Sequence, residues 1–262
     1  MADLSGVPLG ARFSLVTNRL GYCGPPDAGS ALYRAATEGT DLERAGASLL
    51  AFEALAPYLR ALGRRHGLDP LHREVVEAYW IGNRLLDAFT ADDFAPILDA
   101  LARRGLPASS ARWLREHLPS GAFPHHAFHV AFVGVGAVTG HAPTNLPTME
   151  RCRPAWATVR SVGPGTATIA RPSVTLGAGG FAWSAPTTST VPVDPKLLPG
   201  LAAGETVAVH WDTPVLRLTP AEAEALERYS RRAFELAGPS LAGLLARSAD
   251  GEAARRPGPT SA

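Results

Sequence analysis

Cys152-Arg153-Pro154-Ala155-Trp156-Ala157-Thr158-Val159-Arg160-Ser161-Val162-Gly163-Pro164-Gly165-Thr166-Ala167-Thr168-Ile169 is the stretch at which the chain changes character. Upstream, apolar residues recur every three or four positions, the period of an amphipathic helix. From Trp156 to Val162 and again from Thr166 to Leu176 the residues are β-branched and aromatic, with a Gly/Pro turn between. Phe181 to Val193 and Glu205 to Leu218 repeat the pattern, which reads as a small antiparallel β unit. Gly177-Ala178-Gly179-Gly180 lacks a following Lys-Ser/Thr and the strand-to-helix setting of a phosphate loop, so it reads as a hairpin turn. Thr219-Pro220-Ala221-Glu222 then opens a last helix: Thr219 caps, Pro220 presets φ, and Glu222 completes a capping box. Leu226, Tyr229, Ala233 and Leu236 form its apolar face.

Working back towards the start, Ser109 to Leu118 is a short helix. Asp92 begins another, with Phe94, Ile97, Leu98 and Leu101 inside. Asp69-Pro70 predicts an N-cap and first helical residue, followed by a stripe of Val75, Tyr79, Gly82, Leu86 and Phe89. Asp41 caps a helix carrying Leu42, Ala45, Leu49 and Phe52. Before it, Phe13 to Leu20 reads as a short strand, and the first dozen residues as a loose arm. The expected fold class is α+β: a helical N-terminal region, then a small antiparallel β barrel or sandwich, then a C-terminal helix. The division is 1–152 and 153–244, with 245–262 as a disordered tail.

Composition excludes several classes. The chain has 262 residues, a formal charge of +1, and 19% charged residues. A bilayer core needs about 20 consecutive apolar residues, and the longest candidate, Ala127 to Val138, is shorter and carries His129. A nearly neutral chain lacks the basic face of a nucleic-acid binder. Neither membrane nor nucleic acid is therefore expected as a partner. Met1 to Arg12 shows no basic start followed by an apolar run, so a cytoplasmic, reducing setting is expected, with Cys23 and Cys152 as free thiols. Lys196 is the one lysine among 25 Lys and Arg, a codon-bias signature of a GC-rich genome.

The densest chemical signal is Pro124-His125-His126-Ala127-Phe128-His129, three of the eight histidines, with His141 twelve residues on. Histidine is the commonest metal ligand and titrates near neutral pH. His125 and His129 would stand about 13 Å apart in a strand, too far for one ion, and about 5–6 Å apart in a helix, close enough to share one. The following Val130 to Val138 reads either as a buried strand or as a close-packed helix, and in that setting one or two of the rings are core groups. No HExxH or CxxC pattern is present, so a metalloprotease-type zinc site is unsupported.

Asn18-Arg19-Leu20-Gly21-Tyr22-Cys23-Gly24-Pro25 sets a cysteine between glycines, where Arg19 or a histidine can activate it as a nucleophile, with Tyr22 beside it. The plainer reading is a tight turn with Cys23 as a small buried group. Glu77, Trp80 and Asn83 share one helix face. A carboxylate beside Trp80 serves as a general acid/base or a fourth ligand, or else simply pairs with an arginine. Cys152, at the junction of the two regions, reads as structural. His210 and Asp212, two apart on one strand, face the same side as an orienting pair would, with Trp211 turned to the β core, but the segment reads more plainly as a strand end leading into a turn.

The segments 18–25, 77–83 and 124–129, with Thr139-Gly140-His141, Cys152 and Val209-His210-Trp211, resemble an uncharacterised family of about this length from actinobacteria and some archaea. The resemblance covers about Arg12 to Leu236. It implies a neighbourhood of nickel–iron hydrogenase and maturation genes, and brings no established reaction. The leading expectation is a metal-binding protein, an enzyme or metallocentre maturation factor. It would use His125, His126 and His129 with help from His141, Glu77 or Cys23, and iron is expected over zinc, since a mixed His/carboxylate site suits redox chemistry. Its counterpart is a small-molecule substrate or a partner metalloprotein. The alternatives are a thiol-dependent hydrolase or transferase with Cys23 as nucleophile, one of the histidines as base and Arg19 and Tyr22 assisting, and a non-catalytic accessory subunit.

Overall fold

The computed structural model describes residues 2–177 and 180–246. Most of the expected tail, and the tip of the Gly177–Gly180 turn, lie outside them. The chain opens with α1 (Val7–Arg19), α2 (Gly29–Glu38), α3 (Leu42–Ala51), α4 (Leu55–His66) and α5 (Arg73–Trp80). There follow α6 (Ala91–Ala102), α7 (Ala108–Glu116), the single turn α8 (His126–Phe128), a π-helical turn over His129–Val133, and α9 (Leu146–Cys152). Among the described residues the strands are β1 (Ala155–Gly163), β2 (Thr166–Arg171), β3 (Val174–Gly177), β4 (Gly180–Trp183), β5 (Thr187–Pro192), β6 (Thr206–His210) and β7 (Thr213–Arg217). The chain closes with α10 (Pro220–Ala237). The fold is α+β, as the change at Cys152 predicts, and no described helix is long and apolar enough to cross a membrane.

Two expectations for the first twenty residues are corrected. From Val7 to Arg19 the expected loose arm and the strand Phe13 to Leu20 are one helix, α1, with Pro8 in its first turn. Its burial explains the misreading. α2, α3, α5 and β7 all pack on it, so Leu9, Ala11, Phe13, Leu15 and Thr17 are buried, and the run loses helical amphipathicity. Asp69 does not cap α5. Its carboxylate accepts from the Leu71 N–H at 2.9 Å, forming a local turn, and His72 becomes the cap through Nδ1. The stripe expected to run through Gly82 stops at Trp80, because Gly82 adopts φ +98 and a Cβ there would lie 2.1 Å from the Tyr229 ring. That close approach seats α10 against the helical body.

The sheet is antiparallel and open, in the order β5-β2-β1-β6-β7, with β3 and β4 a separate hairpin. No ladder joins β5 to β7, so the barrel or sandwich is realised as a five-stranded sheet and a two-stranded one. Ala155 pairs with Val209 and Thr158 with Thr206. This register brings the end of β6 level with the end of α9. α10, started by the expected Thr219–Glu222 capping box, packs on β1, β6, α8 and the π-helical turn. Helical and sheet residues contribute to one contiguous hydrophobic core. The histidine segment runs through it.

Candidate metal centre

The sharpest local irregularity is the segment from His125 to Gly134. His125 is extended (φ −110, ψ 146), and its Nδ1 accepts from the Ala127 N–H at 3.1 Å, capping the short helix. Capping turns its ring away from the cavity, towards Phe123 and Tyr229. His126 and His129 lie on one face, their rings 6.0 Å apart and 22° from parallel. The helix then widens, with the Gly134 N–H bonding the His129 carbonyl five residues back. π-helical turns of this kind recur at functional sites.

Three side chains converge from separate elements. His126 from α8, Cys152 at the end of α9 and His210 at the end of β6 each place a potential ligand atom within 4.8 Å of the others, and all three are buried. His126 Nε2 lies 3.6 Å from Cys152 Sγ and 3.1 Å from the Cys152 carbonyl. Because that carbonyl only accepts, His126 Nε2 carries the proton in this structure and Nδ1 accepts from the Tyr79 hydroxyl at 2.8 Å; a metal at Nε2 would require the other tautomer, with Nδ1–H donating to Tyr79. His210 is more constrained. Its Nδ1 is 2.8 Å from the Phe13 carbonyl, and a carbonyl only accepts, so Nδ1 carries the proton and Nε2 a lone pair. That Nε2 is buried without a hydrogen-bond partner. The Cys152 carbonyl nearby cannot satisfy it, since both are acceptors. A second-sphere carbonyl that fixes the tautomer and leaves the other nitrogen free is the usual arrangement behind a metal-ligating imidazole.

The electrostatics agree. Burial holds His210 down to about 4, opposed by the carbonyls of Phe13 and Cys152. His126 is lowered well below the ordinary histidine range by burial first, then by His210, His129 and His125. His129, 2.9 Å from the Tyr58 hydroxyl, is lowered by burial to about 4. The rings are therefore neutral at pH 7, the form that binds metal. Burial pushes the Cys152 thiol well above its ordinary value; the nearby Cys23 adds to this and the Trp211 indole opposes it. A thiolate there needs a cation beside it.

His126, Cys152 and His129 line a small cavity of about 50 Å³, walled by apolar groups such as Phe52, Leu55 and Val135. Tyr22 and Cys23 line it too, so the Asn18–Pro25 loop reaches the histidine segment. Asn18 holds that loop by donating to the Cys23 and Pro25 carbonyls, and Glu53 accepts from the Gly24 N–H. Burial, with help from Glu53, raises the Cys23 thiol to about 12. The remaining sequence candidates stand elsewhere. Arg19 is exposed, its guanidinium over the Tyr33 ring. Glu77 pairs with Arg73 at 3.6 Å. His141 is exposed in the loop before α9.

Against known families, one match decides the placement: the model of a family of unknown function (DUF6390) matches residues 2–243. The chain belongs to that family. DUF6390 membership agrees with the resemblance to an uncharacterised family of this length. No curated protein matches the chain, and no solved structure matches it.

Cys152 and His210 are the members of the group that the sequence reading assigned to structure. His210 shows in the sequence as an imidazole at the buried end of Thr206-Val207-Ala208-Val209, and Asp212, two residues on, pairs with Arg151 and Arg171 rather than with it.

Proposed function

We propose that this chain binds one transition-metal ion through His126, Cys152 and His210 and acts on a small molecule admitted to the adjoining cavity. The observation that supports this most strongly is the unpartnered Nε2 of His210, with its tautomer set by Phe13, facing a buried thiol and a second imidazole. An iron preference leaned on a carboxylate ligand, but Glu77 pairs with Arg73 instead. Two imidazoles and one thiolate suit a borderline-soft ion, and zinc becomes the favoured metal. Three protein ligands with a fourth position open to a cavity is the pattern of a catalytic rather than a structural zinc. Such an ion supplies Lewis acidity and lowers the pKa of bound water. The chain's own groups exclude bulk water, fix the His210 ring, and let the Tyr79 hydroxyl follow the His126 tautomer. Burial of all three donors favours an ion retained through turnover over one handed to a partner metalloprotein, so a hydrogenase-maturation role draws no support from the geometry.

The test is metal analysis of untagged protein. About one zinc per chain is expected. Cys152→Ala and His210→Ala should lose it, while His141→Ala should keep it. Substoichiometric metal, or full retention in His210→Ala, defeats the reading.

A further inference from the structure

Around the same cavity lies a second set of groups that the metal reading does not use. Ser14 from α1, Trp80 from α5 and Trp211 from the β6–β7 turn all line it. Ser14 Oγ, Trp80 Nε1 and Trp211 Nε1 are each buried without a hydrogen-bond partner, and the Trp211 indole stands close enough to the Cys152 thiol to oppose its upward shift. Buried polar atoms are rarely left unpaired, and an unpaired one calls for an explanation such as a bound ligand. An indole N–H can only donate. Whatever satisfies these two must therefore accept.

The rest of the lining narrows the chemistry. Among the described lining residues there is no Asp or Glu to pair with an organic cation and no Lys or Arg to pair with an anion, so the counter-charge of an anion there would come from the ion held by His126 and Cys152. The cavity, at about 50 Å³, holds a few water-sized groups and nothing larger. The donors are also held firmly. Trp80 stacks on Phe13 at 4.8 Å, and Trp211 packs on Tyr22 at 4.7 Å. Trp211 and Asp212 occupy the left-handed region, at φ 50 and 56, a conformation uncommon for bulky side chains. The Trp211 backbone N–H, not its indole, donates to the Arg151 carbonyl at 2.6 Å, tying the turn to α9 next to Cys152. Strain maintained by surrounding contacts is a feature of binding sites.

We propose that the cavity beside His126 and Cys152 binds a small acceptor-only anion of two to four heavy atoms, of the formate or azide type, held by the indole N–H groups of Trp80 and Trp211 and the Ser14 hydroxyl. In the holoprotein the metal takes part of its charge, and to that extent the inference rests on the metal reading. The N–H contacts stand independently of it.

The experiment follows the five tryptophan indole N–H signals in ¹H–¹⁵N spectra of zinc-loaded and metal-free full-length protein. Sodium azide or sodium formate is titrated in, with methylammonium chloride and sodium benzoate as charge and size controls. Trp80→Phe and Trp211→Phe assign the signals and remove the N–H donors together with part of each ring. Saturable shifts of those two signals with azide and formate, and none with methylammonium or benzoate, are expected. Each Phe variant, and Ser14→Ala should a Phe variant fold poorly, should weaken azide binding about tenfold, the range for losing a hydrogen bond to a charged group. Zinc content should be unchanged. Zinc-loaded protein with no saturable shift, or variants that bind azide as wild type does, overturns the anion site and leaves the metal reading intact. Should no zinc bind, the metal reading fails alone if azide still shifts both signals in the metal-free protein. If it does not, both fail.

Discussion

Acidifying the metal-free protein from pH 7 to pH 5 should bring it close to unfolding. Four histidines are buried: His125, His126, His129 and His210. Burial lowers His125 to about 3, His129 and His210 to about 4, and His126 well below its ordinary value. In the unfolded chain each ring titrates near ~6.5. As pH falls the unfolded state therefore takes up protons first. The stability tied to these rings is complete above about pH 6.5 and is lost as pH drops towards the folded values near 4. Each ring contributes about 2 kcal/mol of loss between pH 7 and 5, and the four together about 7–8 kcal/mol. Total stabilities of domains run at about 5–15 kcal/mol. Urea unfolding of chelator-treated protein at pH 7, 6 and 5, followed by tryptophan fluorescence, should show a collapsing midpoint. Unfolding near pH 5.5 should take up roughly three to four protons. A loss below about 2 kcal/mol, or an uptake below one proton, would refute the claim that these rings are buried and neutral.

Two further outcomes follow from the same groups. Between pH 6 and 8 the rings of His126 and His210 are already neutral, and Cys152 is a thiol raised by burial, so metal binding displaces one proton. Apparent zinc affinity, measured by competition with a chromophoric chelator, should rise about tenfold per pH unit; a flat profile means the thiol is no ligand, and a slope of two or three means the rings titrate normally. Cys23, with its thiol raised to about 12 against an ordinary 9.0, should react with iodoacetamide at pH 8 about a thousandfold more slowly than a free thiol, because only the thiolate attacks. Labelling of Cys23 at an ordinary rate would revive the thiol-enzyme reading.

How much was legible can be judged from particular elements. The capping box at Thr219 and the β-rich runs after Cys152 were readable because capping and residue preference act over a few positions. α1 was misread because neighbours bury it on several sides, which erases the apolar stripe. The candidate metal group was half visible. His126 stood out in a cluster, yet His125 beside it is a helix cap. Cys152 and His210 carried no motif, since His126 and Cys152 are 26 positions apart and β6 is further still.

The sequence by itself determined an α+β chain with its chemistry concentrated around the Cys23 loop and the 125–129 histidines. Only the tertiary structure decided which of those side chains meet. The register of β6 on β1, and the hydrogen bond from Trp211 to Arg151, carry His210 to Cys152. Helix periods and caps are set by near neighbours in the chain, whereas convergence of ligands depends on how distant elements pack.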